Sequence, residues 1–121
     1  MGVFDPDDFS GRPYVGGMNQ ALHHVFGRAI IGQATYWFSM PVFWAVLISG
    51  IGYVIWEGWQ LKFRGASMPD YWADLVYWMS GTAVGALIYL YGLQQDLFWS
   101  VPLVIWFIEY KRLSLRRAFR W

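Results

Sequence analysis

Cysteine is absent from this 121-residue sequence, and charged residues make up only 14% of it. Without cysteine the chain can form no disulfide, no thiolate metal site and no cysteine nucleophile. Soluble domains carry about 25% charged residues, so the low charge points away from a fold that is surrounded by water. No Ser/His/Asp set, phosphate-binding loop or two-carboxylate site can be assembled from the residues that remain. We therefore expect a protein that is not an enzyme and that has neither catalytic residues nor a metal site.

Hydrophobic residues, by contrast, make up 57% of the sequence, and two long segments carry no charge. The first covers residues 29–56 and the second residues 75–95. A helix rises about 1.5 Å per residue, so about 20 apolar residues cross the ~30 Å hydrocarbon core of a bilayer. We predict transmembrane helices at about 35–59 and 71–93, with Trp and Tyr side chains at the membrane–water boundaries.

A third uncharged segment, between Asp96 and Glu109, is shorter than a full crossing. Residues 97–110 span the bilayer only if it thins locally or if nearby basic side chains reach the headgroups. Otherwise this segment dips into the membrane or lies in its interface. The sequence thus predicts an all-α integral membrane protein with two to three transmembrane helices, in a domain that covers residues 33–110.

The regions that flank this domain differ in composition. Residues 1–17 are rich in Asp, Gly and Pro, which predicts an irregular acidic tail. Residues 18–32 place apolar side chains on one helical face, which predicts an amphipathic helix at the membrane interface that breaks at Gly32. Residues 111–121 alternate basic and apolar side chains and predict an amphipathic tail on anionic headgroups. The predicted headgroup contacts are Lys111, Arg112, Arg116, Arg117 and Arg120.

The basic residues also predict the orientation, because they favour the cytoplasmic side of a membrane. With three spans Arg12 and Arg28 face outward, and with two spans Lys62 and Arg64 do so. Both arrangements place the C-terminus in the cytoplasm. We expect a bacterial inner membrane, or a membrane derived from it, and lipid rather than nucleic acid as the anionic partner.

Gly81 and Gly85 form a G-x-x-x-G pattern in the second predicted span. Small residues four positions apart let two helix backbones approach closely within a membrane. The pattern predicts a packing face, either against the first span or against another copy of the chain. Frequent glycine in membrane helices is the alternative explanation.

Polar side chains near the helices offer two further candidate sites. His23 and His24 are the only histidines, and adjacent helical residues point about 100° apart, so they cannot grip one ion together. They are predicted to be surface side chains, or alternatively an axial ligand to a pigment or haem. Glu57, Arg64 and Asp74 lie near the loop between the first two spans, where a Glu57 or Asp74 ion pair with Arg64 is the expected structural role. Asp74 is the best candidate for a proton or ion site.

Three resemblances accompany these patterns. A chain of about 120 residues with three candidate spans and a basic cytoplasmic tail resembles class I phage holins, which implies a pore-forming protein. The stretch EGWQLKFRGASMPDYWADLVYWMSGTAVG is similar to segments of small uncharacterised membrane proteins of phages and bacteria. QALHHVF ahead of a Trp-rich span resembles the start of light-harvesting beta chains, which ligate bacteriochlorophyll through a histidine within the span. The first span here has no histidine.

Together these features predict a small, non-enzymatic membrane protein that is a structural or accessory subunit of a larger assembly. Its apolar surface exceeds what three short helices can bury among themselves, so other membrane chains, or further copies of this chain, are the expected partners. A holin-like pore former is the first alternative, and an ion- or proton-conducting transporter subunit is the second.

Overall fold

The structure, a computed structural model, describes residues 11–94 and 98–119, and all regular secondary structure in these ranges is helical. It contains the helices α1 (Pro13–Phe38), α2 (Val42–Phe63), α3 (Met68–Tyr91) and α4 (Ser100–Phe119). The all-helical prediction is therefore confirmed within the described ranges. Of these helices, α2 and α3 are long and apolar enough to cross a membrane. Most of the predicted acidic tail, and Arg120, lie outside the described residues.

The first helix is longer than the sequence predicted. It begins at Pro13, inside the segment expected to be irregular, because proline fits the first turn of a helix, where its missing N–H needs no partner. It also continues through Gly32, where a break was expected. A Cβ atom at position 32 would approach the Tyr89 hydroxyl to 2.7 Å, so this glycine makes room for α3. Residues 18–32 are thus part of a bundle helix and not a separate surface helix.

The uncharged segment 29–56 is divided between two helices. The first, α1, ends at Ser39, which adopts a left-handed conformation with φ of 51°, and the Met40 N–H donates to the Ala34 carbonyl at 3.0 Å. Pro41 follows; it has no N–H and disfavours helix in the residue before it. The helix predicted over residues 35–59 is therefore displaced and runs from Val42 to Phe63.

The third helix begins where its sequence signals place it. The side chain of Ser67 accepts a hydrogen bond from the Asp70 N–H at 3.3 Å, and proline occupies the first turn. This is the N-cap arrangement expected from a serine followed three residues later by a carboxylate. The helix ends at Gly92, whose φ of 62° gives a left-handed cap.

The fourth helix joins two segments that were predicted separately. Most of the short apolar segment 97–110 and of the basic tail 111–121 lies in one helix, from Ser100 to Phe119. No glycine or proline follows Pro102 in this stretch, so nothing in the sequence interrupts the helix. The basic tail is therefore a continuation of the bundle.

The four helices form an up-down-up-down bundle in which α1 packs most extensively against α3 and α4. Helices α1 and α3 run parallel, and α2 and α4 run antiparallel to them. The contacts that fix these directions are Gln20–Asp74 and Gly32–Tyr89 for α1 and α3, Tyr14–Trp106 and Arg28–Phe98 for α1 and α4, and Ser49–Thr82 and Glu57–Asp74 for α2 and α3.

Glycine residues bring α1 and α3 into backbone contact. A Cβ atom on Gly81 would overlap the carbonyl oxygen of His24, and one on Gly27 would overlap the carbonyl oxygen of Trp78. A Cβ atom on Gly85 would lie 3.0 Å from Cβ of Ile31. The packing face predicted at Gly81 and Gly85 thus contacts α1 of the same chain. The atoms nearest to these two positions belong to α1 and not to α2, the helix that corresponds to the first predicted span.

The distribution of side chains is inverted relative to a water-soluble bundle. The outer surface carries large apolar side chains that are more than half exposed, among them Trp37, Phe43, Trp72, Leu103 and Phe119. The interior holds polar and ionisable side chains: Asn19, Gln20, His23, His24, Arg28, Ser49, Glu57, Gln60, Asp70, Asp74, Thr82 and Glu109. Burying so many polar groups costs free energy unless they contact one another, so the interior is built from specific polar contacts.

The contact between α1 and α3 predicts that Gly81→Ala destabilises the protein. The added methyl group must displace the backbone of α1, and overpacking of this kind costs about 1–3 kcal/mol. Gly52→Ala is the matched control, because nothing lies within 4 Å of a Cβ atom at that helical position. Thermal unfolding in mild detergent should show a lower midpoint for Gly81→Ala and an unchanged or higher one for Gly52→Ala. Equal unfolding midpoints for the two variants would contradict the backbone contact between α1 and α3.

Candidate functional site

The interior brings together His23 of α1, Glu57 of α2 and Asp74 of α3. One ligand-type atom from each of these side chains lies within 4.8 Å of the other two. The relative exposures of the three residues are 0%, 0% and 2%. Three helices thus contribute one imidazole and two carboxyl groups to one enclosed point, which we call the triad.

The imidazole of His23 is oriented by its own helix. Its Nδ1 atom lies 2.7 Å from the carbonyl oxygen of Asn19, one turn earlier. A carbonyl oxygen only accepts, so Nδ1 carries the proton, and in the neutral ring the lone pair is on Nε2. This Nε2 atom lies 3.8 Å from Oδ2 of Asp74. The nitrogen that can bind a cation therefore points into the triad.

The two carboxyl groups have different surroundings. Oδ1 of Asp74 accepts a hydrogen bond from the side-chain amide of Gln20 on α1. No hydrogen bond of standard geometry reaches either oxygen of Glu57 within the described part of the chain, and the nearest donor is the Tyr53 hydroxyl, which makes at most a long hydrogen bond to this carboxyl group. Asp70, one turn before Asp74, is also buried and adds negative potential at the triad.

His24 belongs to a second cluster on the other side of α1. Arg28 donates to its Nε2 atom at 2.7 Å, because a guanidinium group can only donate. Its Nδ1 atom therefore carries a proton and donates to Ser80 at 2.8 Å, while Ser80 donates to the Tyr77 carbonyl at 2.7 Å. Arg28 also donates to the Phe98 carbonyl at 3.0 Å. The Nδ1 atom of His24 thus joins α1 to α3, whereas its Nε2 atom is held by Arg28 on α1 itself.

A third cluster joins α3 to α4 around Glu109. The carboxylate of this buried residue accepts a hydrogen bond from the Tyr77 hydroxyl at 3.0 Å and another from Nε of Arg112 at 2.9 Å. The Nη2 atom of Arg112 forms an ion pair with the same carboxylate. Glu109 is therefore neutralised within the chain.

Aromatic rings close one side of the triad. Tyr53 stacks on Trp78 with ring centroids 4.2 Å apart, and its ring lies edge-on to that of His23 at 5.9 Å. The Trp78 indole donates to Ser49 at 3.0 Å. Tyr53 and Trp78 also line an apolar groove of about 410 Å³ between α1 and α2. The two rings thus separate the triad from this groove.

The structure separates Arg64 from the acidic residues with which it was expected to pair. Arg64 is exposed at the end of α2, with its guanidinium 5.8 Å from the ring centroid of Trp59. Glu57 and Asp74 face the interior instead. The expected Arg64 ion pair is therefore replaced by the contact of both carboxyl groups with His23.

The basic side chains of α4 fall into two groups. Lys111 and Arg117 are exposed, as headgroup contacts require, and the Lys111 ammonium lies 5.5 Å from the Phe107 ring centroid. Arg112 turns inward to Glu109, and Arg116 is half-buried. The sequence could not separate the two groups, because the depth of Glu109 depends on how α4 packs.

Comparison of the chain with protein-family models, with curated proteins and with solved structures finds no match. The triad must therefore be interpreted from its own chemistry. His23, Glu57 and Asp74 were each noticed in the sequence, but as members of separate sites. Their convergence depends on the packing of three helices, and no local spacing encodes it. The one sequence feature that pointed to this convergence was the polar face of residues 18–32. In the structure this face is buried because residues 18–32 belong to the longer helix α1.

The Glu109 cluster predicts that Arg112→Ala destabilises the protein by about 3 kcal/mol, because it leaves a buried carboxylate without its cation. Lys111→Ala is the matched control: this neighbouring cation is exposed, and removing it should change stability by less than about 0.5 kcal/mol. Chemical unfolding in detergent measures both effects. A similar loss in the two variants would mean that Glu109 does not depend on Arg112.

Proposed function

We propose that this protein is an integral membrane protein that crosses the bilayer four times and serves as a non-enzymatic subunit of a larger membrane assembly. The observation that supports the membrane location is the inverted distribution of side chains. Contiguous apolar surface of this extent is unfavourable in water, whereas lipid chains solvate it. The polar groups inside form contacts that a bilayer could not provide.

The outer face of α1 supports including this helix in the membrane. Met18, Leu22, Phe26 and Ile30 are exposed and follow one another at intervals of four residues along one side. The polar side chains of α1 lie on the opposite side, against α3 and α4. At about 1.5 Å per residue, a helix of 26 residues is about 39 Å long, enough to cross a bilayer.

The charge distribution supports four spans over two or three. In an up-down-up-down bundle the start of α1, the loop between α2 and α3 and the end of α4 lie at one end, which we call the basic end. It carries Arg12, Lys62, Arg64, Lys111, Arg112, Arg116 and Arg117. The end of α1, the start of α2, the end of α3 and the start of α4 lie at the opposite end, and the sequence contains no basic residue at 39–41 or 92–99. Because basic residues stay on the cytoplasmic side, the basic end is assigned to the cytoplasm.

The lack of cysteine allows a direct test of this topology. Single cysteines at Gly11, Ser39 and Met68 are exposed to a membrane-impermeant maleimide in intact cells and then in disrupted cells. Four spans predict that Ser39→Cys is labelled in intact cells and that the other two are labelled only after disruption. Labelling of Gly11→Cys in intact cells would support three spans with an external N-terminus, and labelling of Met68→Cys would support two.

The role as a subunit follows from the absence of a catalytic constellation in the sequence and from the extent of the apolar surface. Native mass and composition after mild-detergent extraction from the source membrane test this role. A fixed ratio to larger, different chains is the expected result. A large ring of this chain alone would favour the holin-like alternative. Against that alternative, the glycine face that could drive self-association is occupied by α1.

The buried carboxyl groups favour one second candidate, a subunit that handles cations. Ionisable residues inside a membrane are expensive and usually serve a proton or ion site. Asp74 and Glu57 lie about 10 Å along their helices from the basic end, within reach of the cytoplasm. This candidate is compatible with membership of an assembly.

A further inference from the structure

We propose that His23, Glu57 and Asp74 together bind one divalent transition-metal ion, of the zinc or manganese class, between α1, α2 and α3. The proposal concerns a site within the chain and holds whether or not the protein is a subunit of an assembly. It rests on the geometry of the triad, on the charge of its members and on the groups that orient them.

The hydrogen bonds around the triad are those that metal ligands require. Ligating histidines donate their other ring N–H to a carbonyl or carboxylate, which fixes the tautomer and the ring orientation. His23 does this with the Asn19 carbonyl at 2.7 Å. Ligating carboxylates are in turn hydrogen-bonded, as Asp74 is by the amide of Gln20. Asn19 and Gln20 therefore act as positioning residues for two of the ligands.

Glu57 provides an independent indication that a cation binds here. Its carboxyl group is fully buried and directed into the triad, and within the described ranges no hydrogen bond of standard geometry reaches either oxygen. The neutral Tyr53 hydroxyl nearby can donate a proton in a hydrogen bond but cannot cancel the charge. A buried carboxylate is stable only when it is paired, coordinated or protonated. The guanidinium groups of Arg28 and Arg112 bind His24 and Glu109 instead, so they do not neutralise it.

The charge of the triad fits a divalent ion. A neutral imidazole and two carboxylates carry two negative charges, which one divalent cation cancels. The spacing also fits. Bonds of about 2.0–2.2 Å to nitrogen and oxygen place neighbouring ligand atoms about 3–4 Å apart. The present separations, up to 4.8 Å, require shifts of about 1 Å or less in flexible side chains.

The type of ligand narrows the choice of metal. Imidazole nitrogen favours zinc and other transition metals, whereas magnesium and calcium prefer oxygen ligands alone. Two carboxylates are compatible with zinc and manganese. We therefore expect binding of zinc or manganese and much weaker binding of magnesium.

The test uses the full chain purified in mild detergent and treated with a chelator. Titration calorimetry and elemental analysis should show one zinc or manganese ion per chain. Glu57→Gln, Asp74→Asn and His23→Gln should each weaken this binding more than about 100-fold. Gln20→Leu, which removes only a positioning residue, should weaken it about 10- to 100-fold.

Matched controls distinguish the triad from other sites. His24→Gln alters the adjacent, equally buried histidine, and Glu109→Gln alters a buried carboxylate in another cluster. Both should retain the wild-type affinity, provided that circular dichroism shows the same helix content. Equal weakening in the controls would assign the metal elsewhere and overturn the proposal.

A spectroscopic measurement keeps the test decisive if the variants fail to fold. Cobalt substituted into the wild-type protein should show visible absorption, and X-ray absorption should detect one imidazole together with oxygen ligands. More than one imidazole in the first coordination sphere would overturn the proposal. Absence of any bound divalent ion would also overturn it and would leave protonation as the means of neutralising Glu57 and Asp74.

Discussion

The backbone contact between α1 and α3 is the constraint on which the rest of this structure depends. It forms because Gly27 and Gly81 have no side chain, whereas a Cβ atom at either position would overlap the backbone of the other helix. At this distance the short amide of Gln20 reaches Asp74, and the imidazole of His24 reaches Ser80. A wider separation would leave each of these groups buried without a partner, at a cost of about 1–3 kcal/mol for each group.

Polar and ionisable side chains occupy much of the interior of the bundle. Its fully buried apolar side chains are few, and its large apolar residues lie mostly outside. Directional bonds such as those from Gln20 to Asp74 and from Tyr77 to Glu109 add to the glycine contact in setting the relative position of the helices. The three clusters around the triad, His24 and Glu109 therefore contribute to the packing and contain the candidate chemistry.

The sequence predicted the helical class and the second apolar helix well, because those depend on local signals. Ser67, the proline after it and Gly92 mark the ends of α3 through capping rules that need no tertiary contact. The sequence predicted α1 poorly. Its alternation of apolar and polar residues fits an interfacial helix and a polar-cored bundle equally well, and the choice between them depends on whether α3 offers a complementary polar face.

The candidate site lay beyond sequence reasoning for a related reason. The two histidines were predicted to be surface side chains, which is wrong: both are fully buried, and His23 lies beside Glu57 and Asp74 of two other helices. Glu57 and Asp74 appeared to be helix-end residues that water could reach. They are enclosed because α1 extends from Pro13 past both of them, and no local pattern predicted that length.

The polar face of α1 has a consequence for how the protein is made. This helix is synthesised before α2, α3 and α4, but several of its polar contacts lie on segments that follow it. Gln20 donates to Asp74, His23 faces the same residue, and Arg28 donates to the Phe98 carbonyl as well as to His24. An isolated helix with such side chains enters lipid reluctantly, whereas α2 is apolar enough to enter alone. In the membrane protein proposed above, stable insertion of α1 would therefore wait until α3 has been translated, and α1 would enter the membrane after helices that follow it in the sequence.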